Sequence, residues 1–434
     1  MLSVWQGNSQ MPRFNPLDKD IKTDILIIGG GICGILCAYM LERAGADYVL
    51  LEAEKICQKT TAHTTAKITS QHGLIYSRLI NEFNQRFARL YYEANEDAAG
   101  EYERICRSID CDYTSADSFI YSLEKNGKLD KELEALIKLK IPTERVNKTE
   151  LPFRVADALK FENQANFNPL KFLSVIADGL NIYEHSRVVE LVDGAALTDK
   201  NRVEFKRVIV ATHFPFINKH GFYFLKMYQE RSYVIALEGA AKIDGMYLNE
   251  ADGGLSFRGL GDMLLLGGSS HRTGKEGCGW DRLDEVRKKY YPVSKIKYRW
   301  ATQDCITLDG VPYVGRYSSA VDNMYVATGF NKWGMTSSMA AAKLLCDLLS
   351  DKENRYEGIF SPSRSILRKQ LFKNTYEALC GWLSFGKKRC PHLGCGLSYN
   401  KYEHSWDCSC HGSRFDEDGR LIDNPSNADI EDFK

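Results

Sequence analysis

Two short boxes of cysteine and histidine lie within the last fifty residues of the chain. They read Cys390-Pro-His392-Leu-Gly-Cys395 and Cys408-Ser-Cys410-His411-Gly-Ser413. Each box pairs one thiolate with one imidazole across one or two intervening residues, and zinc and iron-sulfur centres use such ligands. The boxes therefore predict a metal site with two sulfur and two nitrogen ligands, namely Cys390, Cys408, His392 and His411.

The boxes resemble those of the Rieske family, specifically the disulfide-bearing type of respiratory bc complexes. The resemblance implies a [2Fe-2S] cluster in which two cysteines hold one iron and two histidines hold the other. By this resemblance the ligand pairs are Cys390 with Cys408 and His392 with His411. It also implies that the two extra cysteines of the boxes, Cys395 and Cys410, cross-link the cluster loops. Such a centre moves electrons one at a time.

A structural zinc site is the alternative, because zinc also binds two cysteines together with two histidines. Zinc-binding cysteines usually have about two to four residues between them, whereas one residue separates Cys390 from His392, which favours iron. The family's usual tyrosine is replaced by Phe415, so one hydrogen-bond donor that would raise the cluster potential is missing. Residues 361–388 have helical rather than strand-like spacing, which predicts a minimal cluster lobe that leans on a larger domain.

The other end of the chain has the order strand, glycine turn, helix, strand and acid. The strands are expected over 23–28 and 48–51, the helix over 35–44, and the glycines are Gly29, Gly31 and Gly34. Glycines at this spacing let the backbone approach a pyrophosphate, which the helix N-terminus stabilises, and Glu52 takes ribose hydroxyls. The pattern is interpreted as a dinucleotide-binding fingerprint.

FAD is favoured over NAD, because a second fingerprint is missing: Gly259-Leu-Gly261 lacks the third glycine. Over residues 20–350 the chain resembles the glycine oxidase and D-amino-acid oxidase (DAO) family of flavoproteins. The resemblance rests on the fingerprint, on 187–189 leading to 207–212, and on 309–315 followed by 327–336. It implies further cofactor-binding residues, which are Val188, Gly329, Trp333, Gly334, Met335 and Thr336. A buried core turn is the alternative reading of the last loop.

A segment rich in hydroxyl groups follows the ribose-binding acid. In the family that the chain resembles, such residues line the flavin and the pyrophosphate, and the candidates here are Thr60, Thr61, His63, Thr64 and Thr65. Dimethylglycine-type relatives have a histidine at a similar point that is covalently bonded to the flavin. His63 is therefore either bonded to the flavin or hydrogen-bonded near it.

The expected fold class is α/β, with a Rossmann-like FAD-binding domain interleaved with an α+β substrate domain and a small C-terminal Rieske β lobe. The oxidoreductase is predicted over 1–360, a linker and helix over 361–388, and the lobe over 389–434. FAD-binding parts are expected at about 20–75, 150–215 and 300–350, and substrate parts at about 76–149 and 216–299. Helices are expected over 74–110 and 124–140, and strands at 233–237 and 263–267.

Composition narrows the class of protein further. The 434 residues include 57 basic and 57 acidic side chains, and this balance gives no basic footprint for nucleic acid and no polybasic membrane anchor. No apolar run approaches the roughly 20 residues that span a bilayer, and the N-terminus lacks a signal pattern. The odd total of 13 cysteines argues against a secreted disulfide framework. The expectation is a cytoplasmic protein with no nucleic acid partner and no membrane span.

These inferences predict a dehydrogenase for a small amine or amino acid. By the family resemblance, the substrate gives a hydride to FAD, and electrons pass singly to the cluster and then to an external carrier protein or quinone. Arg258 is a candidate for holding a substrate carboxylate, although a structural ion pair is equally open. Lys332 and Trp333 are candidates beside the flavin, and His213 and His271 are possible bases.

Three other functions are alternatives to this dehydrogenase. An electron-transfer protein without an organic substrate would have no use for the large second domain. An oxygen-using oxidase with a structural metal site would need no one-electron outlet. A ring-hydroxylating oxygenase needs a mononuclear iron held by two histidines and a carboxylate. Of the nine histidines, seven lie outside the boxes, and none has the expected D-x-x-H-x-x-x-x-H spacing.

Overall fold

The computed structural model describes residues 2–217, 220–384 and 388–430. The chain forms two large sheets, one small sheet and the helices around them. The helices are Val4–Asn8, Ile32–Arg43, Ile75–Glu82, Gln85–Cys106, Lys128–Lys138, Pro169–Ile176, Tyr223–Lys226, Asp281–Tyr290, Gly334–Leu349, Glu357–Phe360 and Lys369–Trp382, with a 3₁₀ turn at Thr60–His63. None of the helices in the three described ranges combines the length and apolar character that crossing a bilayer requires.

The first sheet has eight strands and carries the glycine turn at the end of Ile21–Ile28. In sheet order the strands are Tyr313–Ser318, Val321–Thr328, Arg202–Val210, Ile21–Ile28, Tyr48–Leu51 and Ile182–Tyr183, and the hairpin of Val188–Val192 and Ala195–Thr198 pairs beside Arg202–Val210. Ile27 enters one hydrophobic core and Leu26 enters another. Because both faces are buried, the central parallel strands are continuous apolar runs.

The second sheet has nine strands and is mostly antiparallel. Its strands, in sheet order, are Lys295–Thr307, Met227–Glu238, Met263–Arg272, Ser256–Leu260, Met246–Asn249, Thr114–Ser122, Asp157–Asn166 and Lys67–Ile68, with Glu144–Val146 paired to Asp157–Asn166. The strands Met227–Glu238 and Lys295–Thr307 pair along almost their whole length. They are called the wall strands below, because they separate the two parts of the site.

The cluster lobe, defined as described residues 388–430, contains the third sheet. Its strands are Leu397–Asn400, Ser405–Cys408, Arg414–Phe415 and Leu421–Asp423. The helix Lys369–Trp382 packs against the lobe, since the Gly396 amide donates to the Gly381 carbonyl at 2.9 Å. A Cβ atom on Gly381 would lie 2.6 Å from the Cys410 sulfur. The small C-terminal β lobe that the sequence predicts is thus confirmed.

The interleaved organisation is confirmed, since each large sheet draws its strands from separate stretches of the chain. Two details differ from expectation. The helix expected over 74–110 is two helices, because the Asn84 side chain caps the second by accepting from the Phe87 amide at 2.9 Å. The helix expected over 124–140 spans only Lys128–Lys138, since Gly127 precedes it in a left-handed conformation. The domain boundaries themselves remain predictions.

Candidate active site and metal centre

A cavity of about 1210 Å³ is lined by residues of both large sheets and by loops of the cluster lobe. Ligand pockets typically reach about 300 to 1,000 Å³, so this one is large enough for a dinucleotide together with a small molecule. The predicted cofactor residues that line it are Gly29, Gly31, Glu52, Thr60, Thr61, His63, Thr64, Thr65, Val188, Trp333, Gly334 and Met335. The three that lie behind its lining are Gly34, Gly329 and Thr336.

The glycine turn is packed so closely that side chains are excluded. A Cβ atom on Gly34 would lie 1.9 Å from the Gly29 carbonyl oxygen, and one on Gly29 would lie 2.7 Å from the Ala211 carbonyl oxygen. The Glu52 carboxylate accepts hydrogen bonds from the amides of Gly30 at 2.7 Å and Glu54 at 2.9 Å. Burial raises the pKa of Glu52, and these amides oppose the shift. This arrangement fits a dinucleotide whose pyrophosphate approaches the bare backbone.

The hydroxyl-rich segment of residues 60–65 is fixed from behind by three large buried donors. The bonds are Trp5 Nε1 to the Thr64 carbonyl at 2.7 Å, Trp300 Nε1 to the His63 carbonyl at 2.9 Å, and Arg258 to the carbonyls of Thr65 and Ala66. These bonds hold the segment in place as part of the cavity lining. Burial lowers the pKa of His63 to about 4, which keeps its ring neutral at physiological pH.

Arg258 lies outside the cavity lining and is 1% exposed. Besides the Thr65 and Ala66 carbonyls, its guanidinium donates to Asn166 Oδ1 at 3.0 Å and to the Phe167 carbonyl at 3.0 Å. The side chain therefore bonds to protein groups that a substrate would have to displace. This geometry favours a structural role for Arg258 over contact with a substrate carboxylate.

The loop before helix Gly334–Leu349 closes another side of the cavity. Trp333 lines it, and the His72 ring stacks on the Trp333 ring with centroids 4.6 Å apart. Thr336 points the other way, with Oγ1 3.1 Å from His72 Nε2. Gly329 lets the loop fold tightly, since a Cβ there would lie 2.3 Å from Thr307 Cγ2. No local sequence motif marks His72, so it is not among the residues predicted from the sequence.

Lys332 also lines the cavity, where its ammonium lies 2.7 Å from the Glu230 carboxylate. His213 lines the cavity, and its Nε2 atom is buried without a hydrogen-bond partner among the residues described. Burial lowers the pKa of His213. His271 is not part of the lining; its Nε2 lies 3.2 Å from the Tyr233 hydroxyl. Of the two candidate bases, only His213 therefore faces the cavity.

The two boxes come together at the edge of the cluster lobe. Cys395 and Cys410 form a disulfide, and Cys390 and Cys408 are buried thiols. The Cys408 sulfur lies within 4.8 Å of both disulfide sulfurs, but sulfurs already joined to each other are not thiolate ligands. The thiolates that remain for a metal in this lobe are Cys390 and Cys408.

The imidazoles of His392 and His411 supply the nitrogen ligands of the same site. Their ring centroids are 5.0 Å apart. Burial lowers the pKa of His392 to about 4 and that of His411 to about 3, so both rings are neutral, which is the form that binds metal. His411 Nδ1 is buried and accepts or donates no hydrogen bond within the described chain. Two thiols and two neutral imidazoles fit a mixed-ligand [2Fe-2S] cluster.

The loops of the cluster lobe are hydrogen-bonded to the wall strands. Gln229 Nε2 donates to the His411 carbonyl at 2.8 Å and to the Asn424 carbonyl at 3.0 Å. Gln303 Nε2 donates to the Gly412 carbonyl at 2.8 Å and to Gln229 Oε1 at 2.9 Å. These contacts hold the lobe in one position against the larger part of the chain.

The next residues of the wall strands face the other way. Glu230 and Asp304 are opposite each other in the strand pairing, and both line the cavity. Because successive side chains of a strand point to opposite faces, the wall is one sheet thick between the cavity and the cluster loops. A further link is Arg272, which lines the cavity and donates to the Ser409 and Cys410 carbonyls at 2.9 and 3.0 Å.

Comparison with known proteins identifies both parts of the chain. The model of the FAD dependent oxidoreductase family (DAO) matches residues 24–348, and that of the Rieske [2Fe-2S] domain matches residues 378–434. The chain is 35% identical to the putative Rieske 2Fe-2S iron-sulfur protein YhfW of Bacillus subtilis (strain 168), over 98% of this chain and 96% of that protein.

Two further similarities cover the larger part only. The gamma-glutamylputrescine oxidoreductase of Escherichia coli (strain K12) is 25% identical, over 79% of this chain and 87% of that protein. The crystal structure of glycine oxidase from Geobacillus kaustophilus superimposes with a TM-score of 0.66 at 16% identity, covering 79% of this chain and 99% of that one. The chain belongs to the FAD dependent oxidoreductase (DAO) family and carries a C-terminal Rieske domain, so it is an oxidoreductase that binds FAD and a [2Fe-2S] cluster.

Proposed function

We propose that the chain is a dehydrogenase that oxidises a small amine or amino acid and passes the electrons through the Rieske cluster to an external one-electron acceptor. When bound, FAD supplies hydride acceptance from a carbon next to nitrogen, and the cluster supplies one-electron transfer. The names of relatives support this substrate class, since they include an oxidoreductase for an amine and a glycine oxidase.

The glycine turn and Glu52 are proposed to hold the pyrophosphate and the adenosine ribose of FAD. Residues 60–65 and 333–336 are proposed to hold its flavin half. Trp5, Trp300 and Arg258 orient the first of these segments by binding its carbonyls. His63 lines the cavity, and its proposed role is either a covalent bond to the flavin or a hydrogen bond near it. Denaturing the protein distinguishes the two states of His63, because a covalent flavin stays with the polypeptide.

Cys390, Cys408, His392 and His411 are the proposed cluster ligands. The observation that carries the proposed function is the position of the wall strands, which line the cavity with Glu230 and Asp304 and are bonded to the loop of residues 408–413. Gln229 and Gln303 keep His411 and Gly412 against this wall. A fixed and short separation suits direct electron transfer within one chain, without a swinging domain.

An external acceptor, either a carrier protein or a quinone, is proposed because the cluster needs an outlet for its electron. A protein that used dioxygen at the flavin would have no need for a second redox centre next to it. A cytoplasmic location remains a prediction from the sequence.

Anaerobic mixing of the oxidised protein with amines and amino acids tests the function. We expect the flavin absorbance to bleach and a rhombic EPR signal with average g below the free-electron value to appear in the same reaction. A dye or ferredoxin should then restore the flavin colour. Rapid peroxide formation in air with a silent cluster would identify an oxidase instead. Reduction by a protein donor, with no response to any amine or amino acid, would identify an electron-transfer protein.

A further inference from the structure

The basic side chains of the cavity are almost all bonded to protein groups. Seven of them line it. The five with partners are Lys59 and Arg187 with Glu54, Lys67 with Ser256, Arg272 with the Ser409 and Cys410 carbonyls, and Lys332 with Glu230. The other two, Lys55 and Lys373, are exposed. Within the described chain, Lys332 is thus neutralised by a carboxylate, whereas Lys67 and Arg272 donate only to neutral protein groups.

Most of the acidic side chains that line the cavity are also bonded to protein groups. Eight of them line it. Those with partners are Glu52 with the Gly30 amide, Glu54 with Lys59, Glu230 with Lys332, Glu250 with Lys128, Glu377 with Lys275 and Asp423 with Arg414. Of the remaining two, Asp252 is exposed at a turn, whereas Asp304 is partly buried in a wall strand.

Asp304 has neither a hydrogen bond nor an ion pair within 2–217, 220–384 and 388–430. Thr302 lies two residues earlier on the same face of the strand, and its Oγ1 atom is also buried without a partner. Burial raises the pKa of Asp304 to about 6, against the attraction of Lys332. A buried hydroxyl without a partner costs free energy, and the carboxylate beside it completes a pair of acceptors that a cation would satisfy.

We infer that Asp304 binds the substrate through its protonated amino group, with Thr302 Oγ1 as a second acceptor, and that a substrate carboxylate is not required. This inference rests on the proposed function and narrows its substrate class from amines and amino acids to amines. An ammonium in contact with a carboxylate makes charge-assisted hydrogen bonds. A carboxylate next to Asp304 would meet like charge, and the neighbouring Lys332 is already paired with Glu230.

Two matched probes separate binding from turnover. tert-Butylammonium and 2-aminoisobutyrate differ by one methyl group that is replaced by a carboxylate, and neither has a hydrogen on the carbon next to nitrogen, so neither is oxidised. Their dissociation constants come from the change in flavin absorbance of the holoenzyme. We expect tert-butylammonium to bind about tenfold more tightly or better, which is the effect of one charge-assisted hydrogen bond.

The variant Asp304→Asn keeps the shape of the side chain and removes its charge. It should weaken tert-butylammonium binding by about tenfold or more and bring the two probes close in affinity. Asp252→Asn, at the exposed cavity carboxylate, is the matched control and should change neither constant. Retained flavin absorbance shows that each variant is folded, and Asp304→Glu should keep part of the preference for the cation.

The inference fails if 2-aminoisobutyrate binds as tightly as tert-butylammonium, or if Asp304→Asn leaves both constants unchanged. Oxidisable pairs separate this failure from that of the proposed function. Isobutylamine and valine differ by one hydrogen that is replaced by a carboxylate, and both keep a hydrogen on the carbon next to nitrogen. If valine bleaches the flavin and isobutylamine does not, the proposed function holds and Asp304 is not an ammonium site. If neither isobutylamine nor valine nor any wider set of amines and amino acids bleaches it, the proposed function itself is wrong.

Discussion

The two faces of the wall strands are both polar, but they differ in how their polar groups are satisfied. On the cluster face, Gln229 and Gln303 use their amide groups to bind each other and the carbonyls of the cluster loops. On the cavity face, Thr302 Oγ1 is buried without a partner in the part of the chain that the structure describes, and the Asp304 carboxylate makes neither a hydrogen bond nor an ion pair there. Saturated groups fix the structure, whereas unsaturated groups mark the position of a ligand. The same rule separates Arg258 from Asp304.

Arg258 donates to four protein acceptors through its two terminal nitrogens, and its replacement should have the largest effect on stability. Arg258→Met leaves the carbonyls of Thr65, Ala66 and Phe167 buried without donors, so the free energy of unfolding should fall by about 3 kcal/mol. Chemical denaturation of the holoenzyme measures this. Exposed Arg282, which makes one bond to the Gly253 carbonyl, is the control. If Arg258→Met instead keeps its stability and loses only affinity for carboxylate ligands, Arg258 is a substrate residue.

Removing the hydrogen bonds of the cluster face should slow electron transfer to the cluster more than it slows oxidation of the substrate by the flavin. In Gln229→Leu with Gln303→Leu, the lobe loses three bonds to its loop carbonyls, so the cluster is no longer held at a fixed distance from the cavity and electron transfer should slow several-fold. Stopped-flow absorbance should show normal flavin bleaching by substrate and delayed reduction of the cluster. The control Gln85→Leu, at a surface glutamine, should show neither. Unchanged transfer in the double variant would mean that these bonds do not set the separation.

The cavity face should bind cations in a pH-dependent way. Asp304 has a raised pKa of about 6 because of burial, with Glu230 acting in the same direction and Lys332 and Arg231 opposing it. Above pH 6 the carboxylate is charged and binds tert-butylammonium, which stays protonated throughout; below pH 6 affinity should fall by about tenfold per unit. Titration of the flavin absorbance measures it. Asp304→Asn should give a flat profile, and a sloping one would assign the effect to another group.

The smallest expected effect concerns the cluster itself. Phe415 is fully buried in the core of the cluster lobe with Cys390 and Cys408. Phe415→Tyr adds one hydrogen-bond donor, worth about 1 kcal/mol or about 40 mV for one electron, so the midpoint potential should rise. EPR-monitored redox titration measures the shift. Phe415→Leu adds no donor and should leave the potential near its original value; an equal rise in both variants would exclude a hydrogen bond as the cause.

The parts of the site that are continuous in sequence could be predicted from it. The metal boxes, the glycine turn with Glu52 and the 60–65 segment each lie within a short stretch, and local spacing reports their chemistry. The residues of the wall could not be found in this way. Glu230 and Asp304 face each other only because two strands pair in one register, and that register depends on the tertiary structure.

Burial is the second reason for the difference. Arg258 and Asp304 are both charged residues within strands, and nothing in their local sequence tells that one is enclosed by carbonyl groups while the other faces the cavity. The break between helices Ile75–Glu82 and Gln85–Cys106 is a milder case, since Asn84 is a recognisable cap residue inside an otherwise helical pattern. Helical periodicity on both sides of Asn84 concealed it.

The contact between the cluster lobe and the rest of the chain leaves no spare space. A Cβ atom on Gly412 would lie 2.6 Å from Gln229 Cβ, and one on Gly274 would lie 2.5 Å from the Ser409 amide nitrogen. His411 is enclosed at the same contact, with 5% of its surface exposed. This packing favours an order of biogenesis in which the iron-sulfur centre is inserted while the loops are still open. Docking of the lobe onto the rest of the chain would then be the final step of maturation, and it would bury the cluster ligand His411 inside the protein.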